Sequence, residues 1–483
     1  MSDQHVRRTP RPPGRRVRRW TGALVALVLV LAGASYAFDL GPRVLGWDYP
    51  SPVTEPAEVA PPPGLTLPSP QSAAAVAETS PAQAADPAAV RRAVRRLLRD
   101  KDLGPRVAVT VHQLVDGATV FDTGPDSVTP ASTMKLLTTT AALEALGPEH
   151  RFTTTTVAGG SPREVVLVGG GDPLLARTPD ADAYPARADI VTLAKATARS
   201  LKNLGRLRVR LGYDATLFAD PAISPDWPAS YVPDQVVSPI SALWVDEGRE
   251  SPGLAPRAAD PPLAAAQAFA RALGKEGITV RGKPRPATAP ADATEYATVR
   301  SAPLAQVAQW VLEVSDNEAA EVLFRHVAIA QGRPASFQGG SAAVQEVLAE
   351  LGVDTTGARI LDGSGLSRRN RLSPETLLAV LEVAASEDHP ELRRAVSGLP
   401  VAGFTGSLTF RFDSGDDEGR GRVRAKTGTL TGVHGLAGLV TDEQGTVMSF
   451  VAIADRVKPV NTLDARQQLD EVAAALAACS CAA

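Results

Sequence analysis

Hydrophobic positions repeat along this chain with two different periods, and the places where the period changes mark out its elements. Residues 88–99 carry Val90, Val94, Leu97 and Leu98 on one helical side. Two strand-like runs follow, 106–113 and 118–122, with Asp116-Gly117 between them as a turn signal. A helix is predicted next: Thr129 can cap it, Pro130 suits its first position, and Gly147 should end it after Leu146. Helical stretches at 188–201 and 260–273 separate short Val/Thr/Leu runs at 151–158, 164–168, 206–212 and 277–281. Helical periods return at 303–313, 317–331, 338–350 and 373–384, and strands are expected at 407–412, 421–427, 433–441 and 446–454. A last helix over 462–479 should turn Leu463, Leu469, Val472 and Leu476 inward.

Strands near both ends of the folded region, with helices between, predict one sheet assembled from N- and C-terminal parts. The organisation expected is a basic cytoplasmic tail (1–19), a transmembrane anchor or signal peptide (20–38), a Pro/Ala-rich spacer (39–87), a catalytic region in two pieces (88–150 and 301–483), and an α+β insert (151–300). The leader rests on seven arginines between Arg7 and Arg19, followed by an uncharged apolar run from Trp20 to Phe38. That run is just long enough to span a bilayer, and the positive flank would stay in the cytoplasm. Ser35-Tyr36-Ala37 also offers a small-x-small cleavage site, so anchor and cleaved signal stay open together. Either reading sends the remainder of the chain across the membrane, with the membrane itself a partner if the segment is uncleaved.

Composition narrows the class. A chain of 483 residues with 44% apolar positions can form more than one core. A net charge of −3 argues against nucleic acid as a partner, since a backbone-binding surface needs a basic excess. The only cysteines, Cys479 and Cys481, cannot build an interior disulfide framework and read as incidental. None of the six histidines has zinc-type spacing, and neither metal nor cofactor is called for.

Three short motifs carry the candidate chemistry. Ser132-Thr133-Met134-Lys135 places a hydroxyl and an amine at i and i+3, on one helix face. A serine needs a base to become a nucleophile, and a lysine of lowered pKa can serve. Ser315-Asp316-Asn317 brings a hydroxyl and an amide together just before an apolar helix, where the same residues also make an ordinary N-cap with Glu318. Lys426-Thr427-Gly428, followed by Thr429, ends an alternating run and offers charge and hydroxyls to a carboxylate, with Gly428 letting substrate backbone approach. Each motif alone has a bland reading: a cap and a surface lysine, an N-cap, a strand end. Their order along one chain gives them weight.

With that order the chain resembles the D-alanyl-D-alanine carboxypeptidase/endopeptidase family of class C low-molecular-mass penicillin-binding proteins, peptidase family S13. The long interval between Lys135 and Ser315 fits that branch, as do Gly169-Gly170-Gly171-Asp172-Pro173, Ser241-Ala242-Leu243, Asp362 to Ser367 and Gly403 to Leu408. Asp316 and Asp246 stand where the family often has asparagine. The resemblance covers roughly residues 88–478. It implies a multidomain α/β protein with the penicillin-binding/β-lactamase-like transpeptidase fold, an antiparallel sheet flanked by helices, plus the insert. It implies a serine-type D-Ala-D-Ala carboxypeptidase, and D,D-endopeptidase, acting on peptidoglycan stem peptides and acylated by β-lactams. Ser132 would be the nucleophile, Lys135 its base and Ser315 a proton relay. Asn317, Lys426, Thr427, Gly428 and Thr429 would bind substrate, with the Ser132 and Thr429 N–H groups as the oxyanion hole. Mutual repulsion between Lys135 and Lys426 would lower both pKa values. A β-lactamase or esterase of the same fold, and a non-catalytic wall-binding protein, are the alternatives.

Overall fold

The computed structural model describes residues 84–251, 253 and 256–483. The basic tail, the apolar leader and nearly all of the spacer lie outside these residues. Among the described residues no helix is long and apolar enough to cross a membrane.

Order begins where Asp86 accepts hydrogen bonds from the Ala88 and Ala89 N–H groups and Pro87 opens helix α1 (Pro87–Val94). Strands β1 (Val107–Gln113) and β2 (Thr119–Thr123) form the expected hairpin. At the other end of the chain stand β9 (Val423–Leu430), β10 (Val433–Thr441) and β11 (Val447–Ala454). These five make one antiparallel sheet in the order β2-β1-β11-β10-β9, so N- and C-terminal parts do share a sheet.

Strand alternation sends neighbouring residues to opposite faces, and both faces are buried. On β11, Met448, Phe450, Ala452 and Ala454 enter a core with α1 and the last helix, α10 (Thr462–Ala477). Val451 and Ile453 enter the opposite core. There they meet α2 (Met134–Leu146), α5 (Leu304–Glu313), α6 (Asn317–Ala330), α7 (Phe337–Glu350), α8 (Pro374–Ala385) and the short α9 (Arg393–Ser397). Each fully buried large side chain contributes about 1.5–3 kcal/mol by leaving water, so a sheet buried on both faces is a stiff base for chemistry.

A second sheet occupies residues 153–300, in the order β6-β5-β4-β3-β8. Its strands are β3 (Thr153–Ala158), β4 (Glu164–Gly169), β5 (Arg208–Asp214), β6 (Thr279–Val280) and β8 (Glu295–Arg300), with the two-residue β7 (Arg285–Pro286) beside β5. Helices α3 (Ile190–Asn203) and α4 (Pro261–Lys275) pack on it. The segment leaves and rejoins the first sheet's domain at one place, where Phe152 N–H donates to the Ser301 Oγ and Ser301 N–H to the Phe152 carbonyl. Between β5 and α4 the chain is irregular, and Trp227, Val237, Ile240 and Trp244 pack against Val322 of α6, Phe337 of α7 and Leu366. The glycine run after β4 is a docking turn: Gly171 has φ +73, and its carbonyl meets the His326 Nε2 of α6 at 2.9 Å.

Several expectations need correction. Residues 407–412 form no strand; Leu408 and Phe412 are buried while Phe410 between them is 90% exposed, which strand alternation forbids. Leu463 is 71% exposed, because the inward stripe of α10 runs through Ala465, Leu469, Val472 and Leu476. Thr129 caps nothing: its N–H donates to Asp455 and its hydroxyl accepts from Arg371. Strand β8 has no counterpart in the predicted elements, since only its middle is buried and the alternation is weak. Cys479 and Cys481 are joined as a disulfide; Cys481 N–H donates to the Asp442 carboxylate and Ala482 N–H to the Gln444 side-chain carbonyl.

Candidate active site

The site lies where α2, the start of α6, strand β9 and the loop after α7 converge. Ser132 sits in a 3-10 turn, Ala131–Thr133, just ahead of α2 rather than inside its first turn. Ala131 takes φ +47, a left-handed conformation that costs a non-glycine residue of order 1 kcal/mol or more. The turn is braced from two sides. The Thr133 hydroxyl donates to the Pro130 carbonyl at 2.7 Å. A Cβ on Gly428 would come within 2.8 Å of that carbonyl oxygen and 3.2 Å of the Thr133 methyl. Gly428 therefore makes room for the enzyme's own turn.

Gly365 does the same from the loop after α7. It has φ +83, and a Cβ there would overlap the Ala131 carbonyl oxygen, a backbone atom that cannot swing aside. Gly365→Ala is expected to push the Ser132 turn out of place and slow acylation by penicillin at least about tenfold, the scale on which small misplacements act. Stopped-flow acylation, with circular dichroism to verify folding, checks it; unchanged acylation would mean that the turn tolerates displacement.

Lys135 is one turn along from Ser132 and fully buried. Its Nζ is 3.0 Å from Ser132 Oγ, 2.8 Å from Asn317 Oδ1 and 2.7 Å from the Ser364 carbonyl oxygen. Burial pulls its pKa down to about 8, against the opposing pull of Glu321, Asp316, Asp362 and Glu318.

On α6, Asp316 is the N-cap, accepting from Ala319 N–H at 2.9 Å and from Trp310 Nε1 at 3.0 Å. The capping reading and the functional reading of Ser315-Asp316-Asn317 thus coexist. Capping frees the flanking residues: Ser315 is held at φ +61 and accepts from Lys426 Nζ at 2.8 Å. The Asn317 Nδ2 donates to the Val236 carbonyl at 3.1 Å, so its amide bridges Lys135 and the irregular segment.

Lys426 lies on β9, fully buried, and its Nζ also donates to the Thr427 carbonyl at 2.9 Å. Its pKa is well below the ordinary value, through burial first and then the nearby charges of Lys135 and Arg411. The like-charge effect expected from sequence is present at Lys426, but burial is the larger cause at both lysines. Thr427 is buried and shares a hydroxyl–hydroxyl hydrogen bond of 2.9 Å with Ser407; Thr429 is exposed. Strand β9 is an edge strand. Ala425 N–H donates outward to Pro400, away from β10, so by alternation Thr427 and Thr429 also face the open edge.

All the residues singled out by motif therefore meet in one place. Sequence reasoning missed Ser407, Ser364, Val236 and Trp227. The first two belong to stretches that resemble the family, but nothing in their residue types marks a carbonyl that holds Lys135. Asp362 accepts from Gly365 N–H (3.0 Å), Ser367 N–H (2.6 Å), Asn370 Nδ2 (2.7 Å) and Trp227 Nε1 (2.7 Å), fixing the loop that carries Ser364.

The family model described as "D-Ala-D-Ala carboxypeptidase 3 (S13) family" matches residues 90–262 and 250–476. A carboxypeptidase of Mycobacterium tuberculosis is 37% identical over 84% of this chain and 87% of its own length. The carboxypeptidase DacB of Mycolicibacterium smegmatis is 36% identical over 86% of this chain and 90% of its own. Among solved structures, penicillin-binding protein 4 from Haemophilus influenzae superposes with a TM-score of 0.63 at 24% identity, over 78% of this chain and 98% of that one. The fold is thus the penicillin-binding, β-lactamase-like one, and the chain belongs to the D-Ala-D-Ala carboxypeptidase S13 family.

Proposed function

We propose that this protein is a serine-type D-Ala-D-Ala carboxypeptidase that cleaves peptidoglycan stem peptides through an acyl-enzyme on Ser132. One observation carries the reading: the three partners of Lys135. Two of them, the Asn317 Oδ1 and the Ser364 carbonyl, can only accept. A neutral amine has two N–H groups and one lone pair. With both N–H groups spent on those oxygens, the lone pair is left facing the third partner, the Ser132 hydroxyl at 3.0 Å. That is the arrangement a general base needs.

The rest of the cycle follows from position. The substrate's terminal carboxylate would meet Lys426, Thr427 and Thr429, and its backbone would lie along the open edge of β9. Ser132 gives its proton to Lys135 and attacks the penultimate D-Ala carbonyl. The N–H groups of Ser132 and Thr429 stabilise the oxyanion. Ser315, already holding a proton donor in Lys426, passes a proton to the leaving D-Ala amine, and water then releases the peptide. D,D-endopeptidase action would use the same acyl-enzyme on a cross-linked stem. Asn317 serves Lys135 and Val236 in the free enzyme; it would reach a substrate amide by giving up the Val236 contact. The carboxypeptidase names of the relatives support the reading, and the Haemophilus influenzae protein has been solved with a β-lactam. We place the enzyme outside the cytoplasmic membrane, where stem peptides are; the arginine-flanked apolar leader supports that placement.

The test uses the purified protein, a pentapeptide ending in D-Ala-D-Ala, and penicillin. Free D-Ala should appear, and intact-mass spectrometry should show a penicilloyl adduct that outlives the measurement. Rapid penicillin turnover without D-Ala release would reassign the enzyme as a β-lactamase. Peptide binding with neither reaction would reduce it to a wall-binding protein.

A further inference from the structure

Behind Lys135, the interior holds two carboxyl groups for which the reaction has no use. Asp362 is satisfied by the four donors named above. Glu321 is not. It lies one turn along α6 from Asn317 and is fully buried. Its Oε1 accepts the Ser364 N–H at 2.8 Å, and its Oε2 meets no donor. The Ser364 carbonyl is the one that holds Lys135. A single residue, Ser364, therefore connects Glu321 to the base through its two flanking peptide groups.

The charged groups that act on Glu321 and Lys135 come from every side. Lys135 faces from α2, Asp362 from the loop after α7 and Lys426 from β9, while Arg325, Glu318 and Asp316 lie on or beside α6. Arg325 does not neutralise Glu321 by contact; its Nη groups donate to the carbonyls of Ala219, Ala335 and Pro221. A carboxylate stripped of water needs donors on both oxygens. Asp362, with four, is the better provided of the two to carry charge, against a burial that raises its pKa as well. Ionised Glu321 would draw on the Ser364 N–H and hydroxyl and the Gly363 N–H, but its Oε2 would stay without a donor and it would stand beside the charge of Asp362. Burial and Asp362 accordingly hold its pKa up at about 7. Once Lys135 is the free amine, that neighbour supplies no compensating positive charge, which favours the acid further.

We propose that Glu321 is a positioning residue that works as a neutral acid: its Oε1 holds the Ser364 N–H and so fixes the residue whose carbonyl orients Lys135, and its retained proton spares the Lys135 amine a negative charge that would lock it as an ammonium. The proposal rests on Lys135 being the base. If it ionised, Glu321 would raise the Lys135 pKa more than Asp316, Asp362 or Glu318 does. Its proton therefore bears directly on the fraction of enzyme ready to react.

Glutamine keeps the acceptor and cannot ionise, so Glu321→Gln separates the two roles. Penicillin acylation of the variant at pH 7 should stay within about threefold of the parent, and the rising limb of its acylation–pH profile should not move. Infrared difference spectroscopy of the two proteins at pH 6, without substrate, should show a protonated carboxylic acid band in the parent that is missing in the variant. Glu321→Ala, which strands the Ser364 N–H, should slow acylation at least about tenfold without weakening penicillin binding. The proposal is overturned if Glu321→Gln shifts the limb to lower pH by about one unit or more, or if no acid band is lost, because Glu321 is then the charged partner of Lys135. Should the alanine variant not fold, the glutamine profile and the band decide. Failure of the parent to acylate at all would overturn the function, whereas the band is read without turnover and reports on Glu321 alone.

Discussion

Ser132→Ala is expected to abolish the penicilloyl adduct and to lower D-Ala release by roughly four orders of magnitude or more, as loss of a nucleophile does elsewhere. Little else should change. Ser132 is on a braced turn, and alanine fills the same space without its oxygen. Lys135 would keep its contacts with Asn317 and Ser364. The variant should therefore retain the parent's thermal stability and still bind the pentapeptide reversibly through β9. Intact-mass spectrometry after penicillin treatment reads the first effect and a D-Ala assay the second. An adduct that survives the substitution would place the nucleophile elsewhere.

The second large effect is at Lys135. Lys135→Met keeps the buried volume and removes the amine. Acylation should fall by about two to four orders of magnitude, the usual contribution of a general base. The sign of the pH dependence follows from the protonation states. The ammonium has no lone pair, so the parent's rate should rise with pH and level off once the amine is free, at about pH 8. The methionine variant should lose that limb and show a flat, low profile. A limb that persists unchanged would make Lys426, the other buried lysine beside Ser315, the base. Stability should also drop, because the Ser364 carbonyl and Asn317 Oδ1 are left without a donor, at about 1–3 kcal/mol for each buried group.

The site was legible in the sequence to the extent that its chemistry rides on local spacing. Ser132 and Lys135 meet because they are three apart across the 3-10 turn that runs into α2. Ser315 and Asn317 flank a cap, and Lys426 lies on a run with strand alternation. What spacing cannot show is which backbone carbonyls converge on a side chain. Ser364 holds Lys135 through its main chain, Val236 holds Asn317 through its main chain, and any residue type would provide those oxygens. That burial outweighs charge in the lysine pKa shifts likewise depends on packing, which no local pattern reveals. Element boundaries followed the periodicity closely at β10, predicted over 433–441 and found there. They failed at 407–412, where an apparent alternation belongs to a turn that puts Ser407 beside Thr427.

The interleaved sheet has a bearing on how the enzyme comes into being. Thr110 on β1 pairs with Val451 on β11, and no strand close to β1 in sequence other than β2 can take that place. A growing chain has long completed the nucleophile's helix and the whole second sheet before the partner strand of β1 is made. Until then β1 offers an unpaired edge, the kind of surface on which nascent chains associate wrongly. Pairing over so long an interval is also slow to find. The folding of this protein should thus be paced by its last strands, and a chain cut short before β9 would hold Ser132 and Lys135 but lack Lys426 and the strand that carries it.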